Sequence, residues 1–158
     1  MSRLAQALGL DAWAAHSAGL CEECGKAVLF RHAPDHYRAM LRAAPSEIDL
    51  CQLERAGFGV SHDALGAALC ESWGLGAAAV GCVRQHVIAQ GLNELNVPAP
   101  KRAVLALSVI AASMLARPQA LDDVVQVIGP QADLDVALLL RTVRRLAEQT
   151  AVAQANGR

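Results

Sequence analysis

Two histidines in this chain sit where consecutive helices would bring them together. His62, Gly66, Leu69 and Trp73 recur at helical spacing, which puts an imidazole, a gap and two large apolar groups on one face. His86 falls near the end of the next helical stretch, Ala77 to Val87. Gly66 permits close approach, so both rings are expected to line one pocket. At a helix start, the dipole biases His62 toward its neutral, ligand-competent form. Cys21 and Cys24 form a C-x-x-C. Redox use of such a pair wants a strand-to-helix junction, where a helix N-terminus lowers the thiol pKa. Here the pair falls inside a helical pattern, with two intervening glutamates that would raise it. A zinc site would need two more ligands, which His16, Cys51 or Cys70 could supply only through the tertiary fold. The sequence therefore favours buried small hydrophobes at both cysteines.

Positioning these residues takes a series of helices. A short one over residues 2–9 breaks at Gly9, and Asp11 caps a long one running to about Arg31. Pro34 opens the next, with Tyr37, Met40 and Leu41 as its apolar stripe. Ser46 and Asp49 form a capping arrangement for Ile48 to Ala56. Phe58 and Gly59 end that helix, since glycine tolerates the left-handed closing residue, and Ser61 offers its oxygen to the next helix start. Gly74 ends the helix that bears His62. Gly91 to Pro100 reads as a loop, because Asn93, Asn96, Pro98 and Pro100 each disturb regular structure. Pro100 sits in the first turn of a buried helix that ends before Pro118. A short helix from Leu121 to Ile128, a break at Gly129-Pro130 and an amphipathic helix from Asp133 to about Ala153 complete the chain. Trp13 and Trp73 read as core anchors, and His32 and His36 as surface residues at a helix junction. With no strand-like alternation and no internal repeat, the expectation is an all-α multi-helix bundle. It forms one domain over residues 1–154, with a frayed tail over 155–158.

Composition agrees and narrows the function classes. A chain of 158 residues fits one domain with a real core. Hydrophobic residues make up 54%, rich in the helix formers alanine and leucine, against 3% aromatic. A net charge of −1 argues against a nucleic-acid partner. The cluster of Arg141, Arg144 and Arg145 reads as a solvated helix face. The longest apolar run, Ala103 to Ala116, is shorter than the roughly 20 residues of a membrane span. Five cysteines, an odd number without a signal-peptide layout, point to a soluble protein in a reducing cytoplasm.

Three phrases are in register with one known family. Phe58 to Trp73 reads FGVSHDALGAALCESW, Gly19 to Leu29 reads GLCEECGKAVL, and Pro34-Asp35-His36-Tyr37 follows. Together they resemble the HDOD family, the non-catalytic or poorly catalytic relatives of HD-type phosphohydrolases. In that family the phrases run close to fG-x-x-H-x-x-x-G-a-x-L-x-x-W-x-L, G-L-L-H-D-x-G-K-L-V-L and P-x-x-Y. The resemblance spans nearly all of this chain but only the later part of the family's domain, which implies a truncated or split-gene product.

The departures matter as much as the matches. Where metal-binding relatives carry His-Asp, this chain has Glu22 and Glu23, and His86 is followed by Val87 where they often carry a second histidine. Their further upstream histidine would fall before Met1. The resemblance thus implies a vestigial pocket of Glu22, Glu23, His62 and His86, with enough donors for one ion. A hydrolase that generates its hydroxide on two cations needs more. Adjacent glutamates on one helix diverge by about 100°. Glu22 is accordingly expected to pair with Lys26 and Glu23 to face solvent. The reading that follows has no catalytic residue, no metal and no cofactor. It is a bacterial signal-transduction output module acting through protein–protein contacts. The alternative is a metal-dependent HD-superfamily phosphohydrolase acting on a nucleotide or cyclic dinucleotide. A homodimer is expected too, because helix 2–9 would be orphaned and only 18% of residues are charged.

Overall fold

Punctuation residues divide the chain into helices, and they do so mostly where their chemistry requires. A computed structural model describes residues 1–156, with side chains through Gln149. Among these residues there is no strand, and the fold is all-α. The order is α1 (Ser2–Ala7), α2 (Ala12–Cys21), α3 (Cys24–His32), α4 (Pro34–Ala43), α5 (Glu47–Phe58), α6 (His62–Ser72), α7 (Ala77–Leu92) and α8 (Ala99–Ala116). A 3-10 turn (Pro118–Ala120), α9 (Leu121–Gln131) and α10 (Val136–Asn156) follow. Gly9 and Gly59 close α1 and α5 at φ of 68° and 76°, a region open to glycine at little cost. The Asp11 carboxylate accepts from the Ala14 amide at 2.9 Å, and the Ser46 hydroxyl accepts from the Asp49 amide at 3.2 Å. Both are N-caps of the expected kind.

α8 is the spine. Seven consecutive residues, Val104 to Ile110, are buried in it, because α7 and α9 flank it while α1 and α2 lie across another side. It is long and apolar enough to cross a membrane by composition, yet this apolar run forms the bundle's core. α1 is not orphaned: it packs on α2, α8 and α10, with Leu4 and Ala5 buried.

Several expectations are corrected. The long helix from Asp11 breaks at Glu22-Glu23, and a new helix starts at Cys24. The change of direction brings Gly25 against α6, where a Cβ would stand 2.0 Å from the His62 carbonyl oxygen. Pro130 does not break α9 but lies in its last turn, where its missing amide forfeits only one ladder bond. The break falls later, at Asp133 with φ 56°, and Asp135 caps α10 through the Leu138 amide at 3.0 Å. α10 continues through Asn156, so of the tail expected over 155–158 only 157–158 lie outside the described residues. Trp13 and Trp73 are 76% and 60% exposed rather than core anchors. α6 is rotated so that His62, Gly66 and Cys70 line its inner face, and Trp73 is left at its C-terminal cap. Leu41 is likewise exposed, leaving Tyr37 and Met40 as the inner face of α4.

Candidate functional site: two histidines beneath a lysine

The site starts with the way α6 begins. Ser61 holds the N-cap position but does not cap; its hydroxyl donates to the Asp63 carboxylate at 2.5 Å. The cap comes instead from Glu54 on α5, whose carboxylate accepts the His62 backbone N–H at 2.7 Å. The same buried carboxylate accepts from the Tyr37 hydroxyl at 2.5 Å and meets His62 Nδ1 at 2.8 Å. Burial alone would raise the Glu54 pKa, but these hydrogen bonds outweigh it and hold the carboxyl below its ordinary value. Burial and the Glu54 carboxylate together push the Tyr37 hydroxyl well up. The result is a fully enclosed knot joining α4, α5 and α6.

Because Glu54 is an acceptor, the His62 proton sits on Nδ1 and Nε2 is left facing inward. His86 on α7 is set the same way: its Nδ1–H donates to the Val83 carbonyl at 2.8 Å. Both Nε2 atoms are buried without a hydrogen-bond partner. The rings lie 5.8 Å apart between centroids. The two histidines on consecutive helices do line one site, as their spacing suggests.

Carboxylates approach them from the rim. Glu47 Oε2 lies 3.8 Å from His62 Nε2, and Glu23 Oε1 lies 4.0 Å from His86 Nε2. These distances are too long for hydrogen bonds. Both carboxylates are instead bound to Lys26, whose Nζ is 2.7 Å from each. Burial would lower the Lys26 pKa, but its hydrogen bonds to Glu23 and Glu47 reverse that and raise it. Lys26 therefore stays charged and offsets one of the two carboxylate charges at the rim.

Of the four residues expected to form the pocket, His62, His86 and Glu23 converge and Glu22 does not. The expected pairing is exchanged: Glu23 bonds Lys26, while Glu22 turns to the Gln90 amide at 3.4 Å and the Cys82 thiol at 3.7 Å. The helix break at this dipeptide is the physical reason: it turns Glu22 to Cys82 and Gln90 on α7 and lets Glu23 reach forward to Lys26 on α3. Glu22 lines a groove of about 480 Å³ between α2 and α8. His32 and His36 are on the surface, as expected. Arg141, Arg144 and Arg145 form a solvated face, with Arg144 paired to Asp122.

Sequence reasoning missed Glu54, Tyr37 and Glu47. One signal existed for Glu54, which shares the inner face of α5 with Leu50 and Cys51 at helical spacing. A carboxylate on an apolar face demands a partner.

The donor sets can be tested against a metal. Cys51, Glu54 and His62 place ligand atoms within 4.8 Å of one another. Each is already committed, however. Burial and the Asp63 charge push the Cys51 thiol up to about 12, both Glu54 oxygens accept hydrogen bonds, and His62 Nδ1 carries a proton. This group does not fit an ion. The two free Nε2 atoms fit better, but the carboxylates that would join them are held by Lys26.

A model of the HDOD domain family matches residues 1–88 and leaves residues 89–158 uncovered. No curated protein and no solved structure matches the chain. The matched stretch is more than half of the chain and contains every residue of the histidine site, from Glu23 and Lys26 through Glu54 to His62 and His86. The resemblance seen in the three sequence phrases is thereby upheld, and the chain belongs to the HDOD domain family.

Proposed function

We propose that this chain is a signal-transduction output module that works through protein contacts in the cytoplasm and turns over no substrate. The observation that carries the reading is Lys26. Its ammonium group sits between Glu23 and Glu47 at 2.7 Å from each and leaves the two imidazoles as the uncommitted metal-ligating groups of this site among the described residues. Two imidazoles fall short of a centre that generates hydroxide on two cations. Exposed apolar side chains support a role in contacts. Trp13 and Leu20 on α2 and Leu115 on α8 are 76%, 74% and 78% exposed, and the latter two flank the groove that Glu22 lines. A second copy of this chain is the proposed first occupant of that ridge. The ridge takes the place of α1, which is already packed.

The alternative, a metal-dependent phosphohydrolase of nucleotides or cyclic dinucleotides, is favoured by one feature: the paired, unpartnered Nε2 atoms. A turnover assay separates the two readings. Purified protein is incubated with Mn(II) or Mg(II) and a panel of nucleoside phosphates, a cyclic dinucleotide and an aryl phosphate. The module reading expects wild type to match His86→Ala. Hydrolysis by wild type that His86→Ala removes would establish the enzyme. Light scattering tests the contact surface: a dimer mass that Leu115→Glu converts to monomer is expected. A wild-type monomer at micromolar concentration would remove the homodimer.

A further inference from the structure

Two opposite charges along the ridge on α2 and α8 lack ionic partners of their own. Glu22, the C-terminal cap of α2, lines the groove and is half-buried. It accepts from the Gln90 amide at a long 3.4 Å and from the Cys82 thiol at 3.7 Å. Arg117, the C-terminal cap of α8, is exposed and reaches the Gln90 carbonyl at 3.4 Å. Among the described residues neither side chain belongs to an ion pair. The Gln90 amide also donates to the Ser108 hydroxyl at 2.9 Å, so Glu22 stands level with Ser108 on α8. At about 1.5 Å per residue, Arg117 lies roughly 13 Å further along that helix, and the midpoint falls near Ala112. Ala112 and Gln90 wall both the groove that holds Glu22 and a neighbouring hollow of about 300 Å³ that holds Arg117. Leu20 and Leu115 stand exposed at the groove, beside the small side chains of Ala111 and Ala112.

We propose that a second copy docks on this ridge with its α8 antiparallel, about a two-fold axis near Ala112, and that Glu22 of each copy pairs with Arg117 of the other. The inference rests on the self-association proposed above and names the contacts that specify it. A two-fold interface uses the same patch twice, so whatever is complementary within the patch is satisfied in both copies. Here the patch carries its own complement. Rotation about Ala112 carries the Glu22 end of one copy onto the Arg117 end of the other, and both charges are paired twice. A head-to-tail contact would leave one Glu22 and one Arg117 unpaired at its ends. The same rotation sets Leu115 of one copy beside Ala111 of the other, a large side chain against a small one. Arginine suits the task, because its planar fork binds a carboxylate through two parallel hydrogen bonds. The long bond from Gln90 leaves the Glu22 carboxylate able to take a shorter and stronger partner.

The test is a charge swap, read by light scattering over a dilution series of the full chain. Glu22→Arg alone and Arg117→Glu alone should each weaken the dimer at least about tenfold, since each sets like charges against one another twice. An equimolar mixture of the two variants should associate as wild type does, because both cross pairs are again of opposite charge in the mixed dimer. The pairing is overturned if neither variant weakens the dimer, or if the mixture stays monomeric. Should Glu22→Arg not fold, Glu22→Gln and Arg117→Gln take its place. Combined in one chain, they should weaken the dimer no more than either does alone, and losses that add would overturn the pairing. The two levels of the reading fail differently. A wild type that is monomeric throughout removes the self-association and the pairing together. A dimer that Leu115→Glu dissolves and the charge swap leaves intact keeps the ridge and removes the pairing.

Discussion

Around Glu54 the interior is polar and the buried carboxylate is fully partnered, whereas around Ile110 it is apolar and shape alone matters. Among the described residues, every buried ionisable side chain outside the cysteines, namely Tyr37, Glu54, His62, Asp63 and His86, lies within residues 1–88. Among the described residues beyond 88, the buried polar side chains are the hydroxyls of Ser108, Ser113 and Thr142. The first region is tuned by counting donors and acceptors, the second by filling volume. Residues 1–88 are also the stretch matched by the family, so the matched part is the one whose interior depends on specific chemistry.

Single substitutions can break that contrast. The largest loss should come from Glu54→Ala, which strands the Tyr37 hydroxyl, the His62 amide and His62 Nδ1 together. Each buried donor left unsatisfied costs about 1–3 kcal/mol, and three are stranded at once. A loss under about 1 kcal/mol in denaturant melts would mean that water replaces the carboxylate, and the contrast would fail. Ile110→Ala, in the fully buried stretch of α8, should cost about 2–5 kcal/mol through its cavity alone. Its loss should be the same at pH 5 and pH 7, since the cluster around it is apolar.

Gly25→Ala should cost about 1–3 kcal/mol, because its new methyl meets the His62 backbone and the helices must separate. Gly66→Ala, with side-chain neighbours no nearer than 3.2 Å, should cost less. Thermal melts that reverse this order would show that α3 and α6 slide freely. The smallest effect is the pH dependence. In the folded chain Glu54 is held below its ordinary value of 4.5, so its contribution is complete above the unfolded value. It is lost as pH falls through the lower folded value. Glu54→Gln should therefore show a flatter decline of stability in acid than wild type, and urea melts from neutral pH downward would reveal equal slopes if the idea is wrong.

Much of the fold could be read from the chain because caps and breakers act locally. Asp11, Ser46, Gly59 and Pro100 each do what their own chemistry dictates. The break at Glu22-Glu23 could not be read in the same way. It follows from a contact between residues 25 and 62, and local helix propensity says nothing about that distance. The histidines were visible by type and spacing, but Glu54, the partner of His62, showed only as a carboxylate among the apolar residues of its helix face. A glutamate on a helix looks solvated until the opposite helix is known. Trp13 and Trp73 misled for the converse reason: size suggests burial, while the helix's rotation decides it.

The cap supplied by Glu54 has a kinetic consequence. Amides in the first turn of a helix ordinarily lack an intrahelical acceptor and exchange their protons readily with solvent. The His62 amide is instead bound at 2.7 Å by a buried carboxylate, and Gly25 presses against the His62 carbonyl from the other side. Solvent reaches that proton only when α5 and α6 come apart as a unit. The start of α6 should thus exchange as slowly as the α8 core, a slow-exchanging point where a frayed end is the rule.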